Sequence, residues 1–499
     1  MKIILSLIFV LALAIRFLDF PENVNFSYDQ ARDSFATLEI LKGDLKIIGP
    51  PTTASDKIFH GVLFYYILAP IYFITGGNPE AAAIFLRILN AAGVFLVFYI
   101  AKIIFNKEAG IIGAFLFAIS YEESQYAIFF GHPSPGAISV LIFYLGLSLW
   151  IFKEKAYGLI VALIGLGLTI QFEDVNALLI FNLILFLLIF KRKLKFLNFK
   201  IILLGIGGFL VTVSSFILVE IKYKFQTISS IFNVAGSFDT SSSVNIEYIF
   251  FVIKRLINDN FFANALIVNL ILILILGFFI YLGFKRVRDQ SIFLGLWFLG
   301  GLLPHFIATK FSYYYSPGAS VSLLILASFF MSVFLKKNNI LFFLILGLIT
   351  FSNLNLILNQ NNKGVTGDFI IQPGMILGNQ KRVLDYIYLE TGNEVSAVSS
   401  LSIPLNVKTT WDYLFFWYGR EEYGKIPVWY GNNADGFYGN LPIIRDRSEL
   451  PNTQYLILEP PVGIEKSVVD NFLKEEYYFT KVIEEKKFGT IVVQKREKI

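Results

Sequence analysis

The sequence predicts an all-α polytopic membrane bundle of about eleven transmembrane helices, followed by a C-terminal α/β domain outside the membrane. Three observations carry this. Hydrophobic residues make up 56% of the 499-residue chain and charged residues only 16%, against about 45–50% apolar residues in soluble domains. Long apolar runs recur from the N-terminus to about residue 358, and a helix crosses the bilayer core with about 20 such residues. Beyond residue 358 the composition shifts to Gly, Pro, Asp, Glu and short mixed runs.

Residues 1–18 carry one early lysine and then an apolar run, and Arg16-Phe17-Leu18-Asp19 is a poor cleavage site. This stretch reads as an uncleaved first span, roughly 3–19. Residues 20–58 are polar, with Pro21, Pro50 and Pro51. Residues 59–75 are apolar and aromatic, short for a span, and stop at Gly76-Gly77-Asn78-Pro79; they read as a helix lying on the membrane surface. Further spans follow at about 81–104, 109–121, 135–152, 157–171, 174–190, 200–220, 263–284, 290–308, 316–335 and 339–358. The basic residues Lys107, Lys153, Lys155, Lys191, Arg192, Lys193, Lys195, Lys285, Arg286, Arg288, Lys336 and Lys337 fall in alternate loops. The positive-inside rule makes that side cytoplasmic. The N-terminus is then cytoplasmic, and loops 20–80, 121–134, 221–262 and 309–315 lie outside with the tail. This divides the chain into a membrane domain, 1–358, and an extracytoplasmic domain, 359–499. In the tail, Arg382–Leu389 reads as an amphipathic helix, and 454–458 and 490–493 read as strands. The net charge of +5 reflects loop topology rather than a nucleic-acid footprint. The absence of cysteine excludes disulfides, thiol catalysis and cysteine-bound zinc.

The chemistry gathers on the outer face. In Tyr28-Asp29-Gln30-Ala31-Arg32-Asp33, a helix start would set Asp29 and Arg32 three residues apart on one face. A carboxylate there can take a proton from an acceptor, and a guanidinium can grip a phosphate with paired hydrogen bonds. The plain alternative is a solvated helix start with acids favoured by the dipole. The same topology places Asp56, Lys57, His60, Glu122, Glu123, Gln125, His132, Gln171, Glu173, Asp174, His305, Lys310, Tyr313, Tyr314 and Tyr315 at this level, including all three histidines of the chain. Each alone fits a wetted loop; together they mark a polar site at the membrane surface. The aromatic segments Trp411 to Trp417 and Trp429-Tyr430 fit an ordinary core better than a sugar-stacking platform.

An ordered set of motifs resembles the GT-C superfamily of polytopic glycosyltransferases. It is most similar to glycosyltransferase family 39-like enzymes, the relatives of protein O-mannosyltransferases and the aminoarabinose transferase of lipid A. The acidic motif after span one is Asp29-Gln30-Ala31-Arg32-Asp33-Ser34. The surface segment is His60-Gly61-Val62-Leu63-Phe64-Tyr65-Tyr66, with Gly61 and Val62 where the family has two prolines and Phe59 where it often has an acid. The next span opens Ala83-Ile84-Phe85-Leu86-Arg87-Ile88-Leu89-Asn90, and a late element runs from Lys310 through Tyr313-Tyr314-Tyr315-Ser316-Pro317. The set covers about residues 1–335.

The resemblance implies transfer of a sugar from a polyprenyl-phosphate carrier to a lipid, glycan or protein acceptor at the outer face of the cell membrane. It implies Asp29 as the base, Arg32, Lys57 and Lys310 on the donor phosphate, and Asp33, Asp56, His60, Tyr65, Glu122, His132, Tyr313 and Tyr314 lining the site. Asp29, Asp56 and His60 are its candidate ligands for a divalent metal. No nucleic-acid partner is expected. The rival readings are a transporter or flippase of lipid-linked glycans, a non-catalytic envelope scaffold, and a ligase of whole lipid-linked glycans. Apolar mid-spans with polarity gathered at one face favour surface chemistry over passage.

Overall fold

Apolar residues at helical spacing, closed by polar caps, make the first elements. The computed structural model describes residues 1–52, 55–230, 246–263, 265–283, 287–306, 315–366 and 371–499. The helices are α1 (Lys2–Arg16), α2 (Tyr28–Leu41), α3 (Leu63–Thr75), α4 (Pro79–Ile104), α5 (Lys107–Ile119), α6 (Tyr121–Ile128), α7 (Pro133–Lys153), α8 (Tyr157–Phe172), α9 (Leu179–Ile189), α10 (Phe199–Thr212) and α11 (Ser214–Lys222). After these come α12 (Ile246–Asn258), α13 (Ala265–Gly283), α14 (Arg288–Leu302), α15 (Ala319–Lys337) and α16 (Asn339–Gln360).

Over the described residues, each of the eleven expected spans falls mainly on helix. Among the described residues, four helical runs are long and apolar enough to cross a membrane alone: Pro79–Ile104, Pro133–Lys153, Ala319–Lys337 and Asn339–Lys363. The pair α10 and α11 makes a fifth if counted as one span, bent by 63° at its break. The expected eleven are thus helical stretches, several of them short, rather than eleven full-length spans by this measure. The bundle core joins Ile8, Ala12, Val97, Phe117, Leu147, Trp150, Trp297 and Leu324. Glycines at 146, 158 and 165 let the α7 and α8 backbones touch, since a Cβ at any of them would collide with the facing main chain.

The surface segment begins later than the sequence suggests. Phe59 belongs to the hairpin of β1 (Pro51–Thr52) and β2 (Ser55–Phe59), and the helix starts only at Leu63. This α3 packs against α2 and α4, while Phe73 and Ile74 at its far end are exposed, as fits a helix resting on lipid.

The tail is an α/β domain. Its sheet has the order β4-β3-β5-β7-β6, from β3 (Ala397–Leu401), β4 (Val428–Trp429), β5 (Thr453–Leu458), β6 (Thr480–Phe488) and β7 (Ile491–Lys498). The β3 strand runs parallel to β4 and β5, and β7 runs antiparallel to β5 and β6. The expected strands at 454–458 and 490–493 are β5 and β7, and the expected helix is α17 (Leu377–Thr391). Trp411, Trp417 and Trp429 are buried, so these aromatics build the core.

The tail domain does not hang free. Phe26 N–H donates to Met375 O at 3.0 Å, and Leu377 N–H donates to Val24 O at 2.9 Å. Tyr413 donates its hydroxyl to Gly77 O at 2.6 Å, and its ring meets Phe35 edge-on at 5.0 Å. One continuous apolar cluster runs from Val24 and Phe35 through Tyr65 and Tyr72 to Trp411 and Val493. The first outer loop is therefore clamped between the bundle and the tail domain.

Candidate active site

Local sequence fixes the start of α2. Ser27 caps it, and the Gln30 side chain reaches back to accept from Ser27 N–H at 3.0 Å. Asp29, Arg32 and Asp33 then fall on one face. Arg32 donates Nε and Nη2 to Asp33 Oδ1 at 2.9 and 2.7 Å, pairs with Asp29 through Nη1, and lies 5.5 Å over the Tyr28 ring. The two acids differ. The Asp33 side chain is 4% exposed, and Asp29 is 47% exposed. Burial raises the Asp33 carboxyl above its usual range, against the pull of Arg32. Burial opposes the Arg32 charge, yet Asp33 and Asp29 together hold its pKa above the ordinary value.

The second wall comes from the 59–62 loop. Gly61 lies so close to Gln171 that a Cβ would strike its carbonyl and side chain. This contact presses the loop onto the end of α8, and His60 meets the acids that follow it. His60 Nδ1 lies 2.8 Å from Asp174 Oδ1, and His132 Nδ1 lies 3.0 Å from Glu173 Oε1. The two imidazoles tilt against each other with centroids 4.9 Å apart, and Phe64 packs against His132 at 6.3 Å. Both N···O approaches are poorly aligned: His60 Nδ1, His132 Nδ1 and Glu173 Oε1 are buried without a hydrogen-bond partner. Burial opposes charge on His60, but Asp174 outweighs it and lifts the pKa to about 9.

The two walls form one site. Arg32 lies within electrostatic range of Tyr65 and His60, and Asp33 within range of His132. Of the residues singled out in the sequence, Asp29, Arg32, Asp33, His60, Tyr65 and His132 are thus brought together. Lys57 sits on β2, exposed. Glu122 is fully buried in α6, where Oε2 accepts from Asn260 Nδ2 at 2.5 Å. Burial and then the neighbouring Glu123 charge raise its carboxyl to about 8. The Asp56 side chain, Lys310, Tyr313 and Tyr314 lie outside the described residues.

Two features escaped the sequence reading. Glu173 and Asp174 counted only as outer-face acids, although a pair of acids ending an apolar run was a signal. Beneath the site lies a buried polar staple. Arg16 donates to Asn90 Oδ1 at 2.9 Å and to Ala118 O at 2.7 Å, and Arg87 donates to Asn23 Oδ1 at 2.7 Å and to Arg16 O at 2.6 Å. It ties the start of the first loop to α4 and α5. Arg87 and Asn90 stood in the motif that opens the second span, but nothing local showed that they meet Arg16 and Asn23.

Comparison with known proteins now adds to the geometry. The family model described as "Dolichyl-phosphate-mannose-protein mannosyltransferase" matches residues 59–218. The crystal structure of ArnT from Cupriavidus metallidurans bound to undecaprenyl phosphate superposes with a TM-score of 0.63 at 12% identity, covering 98% of this chain and 97% of that one. The chain has the GT-C fold. The apo form of the same ArnT gives a TM-score of 0.60 at 12% identity, over 98% and 97% of the two chains. The Archaeoglobus fulgidus oligosaccharyltransferase in complex with Zn and sulfate gives 0.51 at 14% identity, over 85% of this chain and 62% of that one. No curated protein matches the sequence. In this fold the α2 start and the 59–62 loop are parts of one site.

Among the described residues, the ligand-spaced group takes in His60 of the expected metal set Asp29, Asp56 and His60, and the Asp56 side chain lies outside those residues. Asp29 is engaged with Arg32, and the ligand-spaced group is His60, His132 and Glu173.

Proposed function

We propose that this protein is an integral membrane glycosyltransferase that moves a sugar from a polyprenyl-phosphate donor to an acceptor at the extracytoplasmic face. The observation that carries the reading is the Asp29–Arg32 pair at the start of α2, with Arg32 held by buried Asp33 and Asp29 left open to an incoming group. The GT-C fold and the mannosyltransferase family match over residues 59–218 support it, as does an ArnT structure that holds undecaprenyl phosphate.

Each residue has a task in this reaction. Arg32 presents guanidinium N–H groups to the donor phosphate, and Asp33 keeps it oriented and offsets its charge. Asp29 accepts the proton of the acceptor hydroxyl or amine. As that proton leaves, the acceptor atom bonds to the anomeric carbon, the bond from that carbon to the phosphate oxygen breaks, and the electron pair departs with polyprenyl phosphate. A single displacement inverts the anomeric centre. The leaving group is already a stable anion, so charge stabilisation matters more than a strong acid. Tyr65, next to Arg32, lines the sugar side, and Lys57 and Lys310 add positive charge for the phosphate.

The test is transfer from a panel of synthetic polyprenyl-phosphate sugars by the purified protein in lipid. Release of free polyprenyl phosphate supports the assignment and names the sugar. Tight carrier binding without release, with membrane extract present as acceptor, would instead favour a transporter or scaffold.

A further inference from the structure

We infer that His60, His132 and Glu173 form a binding site for one divalent transition-metal ion of the zinc class, which pins three separate outer segments beside Arg32. The three ligand atoms come from three places in the chain and all lie within 4.8 Å of one another. A four-coordinate zinc ion binds imidazole nitrogen at about 2.0–2.1 Å and carboxylate oxygen at about 2.0–2.2 Å. Its ligand atoms then stand roughly 3.3 Å apart, so small side-chain rotations close the group.

Unpartnered atoms point to the ion. His60 Nδ1, His132 Nδ1 and Glu173 Oε1 are buried and make no hydrogen bond, and the Glu173 side chain is 4% exposed. A buried group in this state costs free energy unless something else satisfies it. One divalent ion would satisfy the Glu173 carboxylate and both imidazole nitrogens at once. Two imidazoles and a carboxylate suit zinc-class ions rather than Mg²⁺ or Ca²⁺, which prefer all-oxygen shells. Asp174 Oδ1, 2.8 Å from His60 Nδ1, orients that ring from outside the three-residue group.

The site has a clear mechanical consequence. It joins the loop that leads into α3 and Tyr65, the turn that opens α7, and the turn between α8 and α9. Those segments frame Arg32 and Asp33. The inference concerns metal binding and stands whether or not the transferase reading holds.

The experiment uses the full-length protein in lipid nanodiscs, stripped with chelator and titrated with Zn²⁺ by calorimetry and elemental analysis. One equivalent per chain is expected, with a rise in Tm on loading. Co²⁺ in its place should give the visible absorption bands of a four-coordinate nitrogen–oxygen site. His132→Ala and Glu173→Gln should each weaken binding at least about 100-fold, beyond the range for outer-shell partners. Asp29→Asn should still bind one equivalent. If His132→Ala fails to fold, the isosteric Glu173→Gln and the wild-type Tm response decide. Substoichiometric zinc on the wild type, no Tm response, or full-affinity binding by Glu173→Gln would overturn the site. Absence of transfer by the metal-loaded wild type would instead count against the catalytic assignment alone.

Discussion

Replacing Arg32 by Ala separates the two jobs assigned to this residue. Its structural job is to neutralise Asp33, whose side chain is 4% exposed and which accepts two Arg32 hydrogen bonds at 2.7 and 2.9 Å. Removing one partner of a buried pair leaves an uncompensated charge and costs about 3–5 kcal/mol. Part of that cost is avoided because Asp33, whose carboxyl is already raised by burial, takes up a proton. Its functional job is to bind phosphate, where a charged hydrogen bond contributes about 1.5–3 kcal/mol, or roughly 10–100-fold in Kd. The single variant should therefore lose both stability and affinity for polyprenyl phosphate. The double variant Arg32→Ala with Asp33→Asn removes the orphaned charge, so it should recover most of the stability and none of the affinity. Thermal unfolding in nanodiscs reads the first quantity, and fluorescence titration with a labelled polyprenyl phosphate reads the second. Recovery of phosphate affinity together with stability would show that Arg32 acts through folding alone.

Three further outcomes follow from single contacts. Gly61→Ala forces a Cβ into Gln171; overpacking of this kind costs about 1–3 kcal/mol, and an unchanged Tm would show that the loop has slack. Tyr413→Phe removes the hydroxyl bond to Gly77 O, which should lower stability by about 1 kcal/mol; hydrogen exchange should rise at the tail–loop contact, and unchanged exchange there would count against the clamp. Glu459 is buried, and although Trp411, Gln372 and the Ile403 amide donate to it, desolvation wins and raises its pKa from 4.5 to about 7. The folded state thus holds the proton more tightly than the unfolded chain, so this group's contribution is most favourable below about pH 4.5 and is lost as pH rises to about 7. The loss amounts to about 3 kcal/mol at 1.36 kcal/mol per pKa unit, and Glu459→Gln should flatten the dependence of Tm on pH over that window. An equally steep dependence in the variant would place the titrating group elsewhere.

Much of the helix and strand placement was legible because apolar length and periodicity act locally. Over the described residues the eleven apolar stretches fall mainly on helix, and the tail helix and strands fall where periodicity placed them. The α2 motif was legible for the same reason: capping and spacing within one turn set Asp29, Arg32 and Asp33 together. What the sequence hid depends on contacts between distant segments. Gly61 against Gln171 brings His60 to Asp174, and no local pattern reveals that approach. Among the described residues the ligand-spaced group is accordingly His60, His132 and Glu173, where the motifs pointed to Asp29, Asp56 and His60. Span length was equally obscured, because a short apolar run can be a buried bundle helix or half of a bent one, as α10 and α11 are. Burial of Glu122 beneath Asn260 likewise depends on packing against α12, more than a hundred residues along the chain.

The measurement that bears most directly on the central claim is release of free polyprenyl phosphate from a polyprenyl-phosphate sugar by the wild type and by Asp29→Asn. Asp29 is half exposed and makes only an ion pair with Arg32, so the substitution should leave the fold and membrane insertion intact. The account predicts release by the wild type and none by the folded variant. Release at the wild-type rate by Asp29→Asn would contradict it.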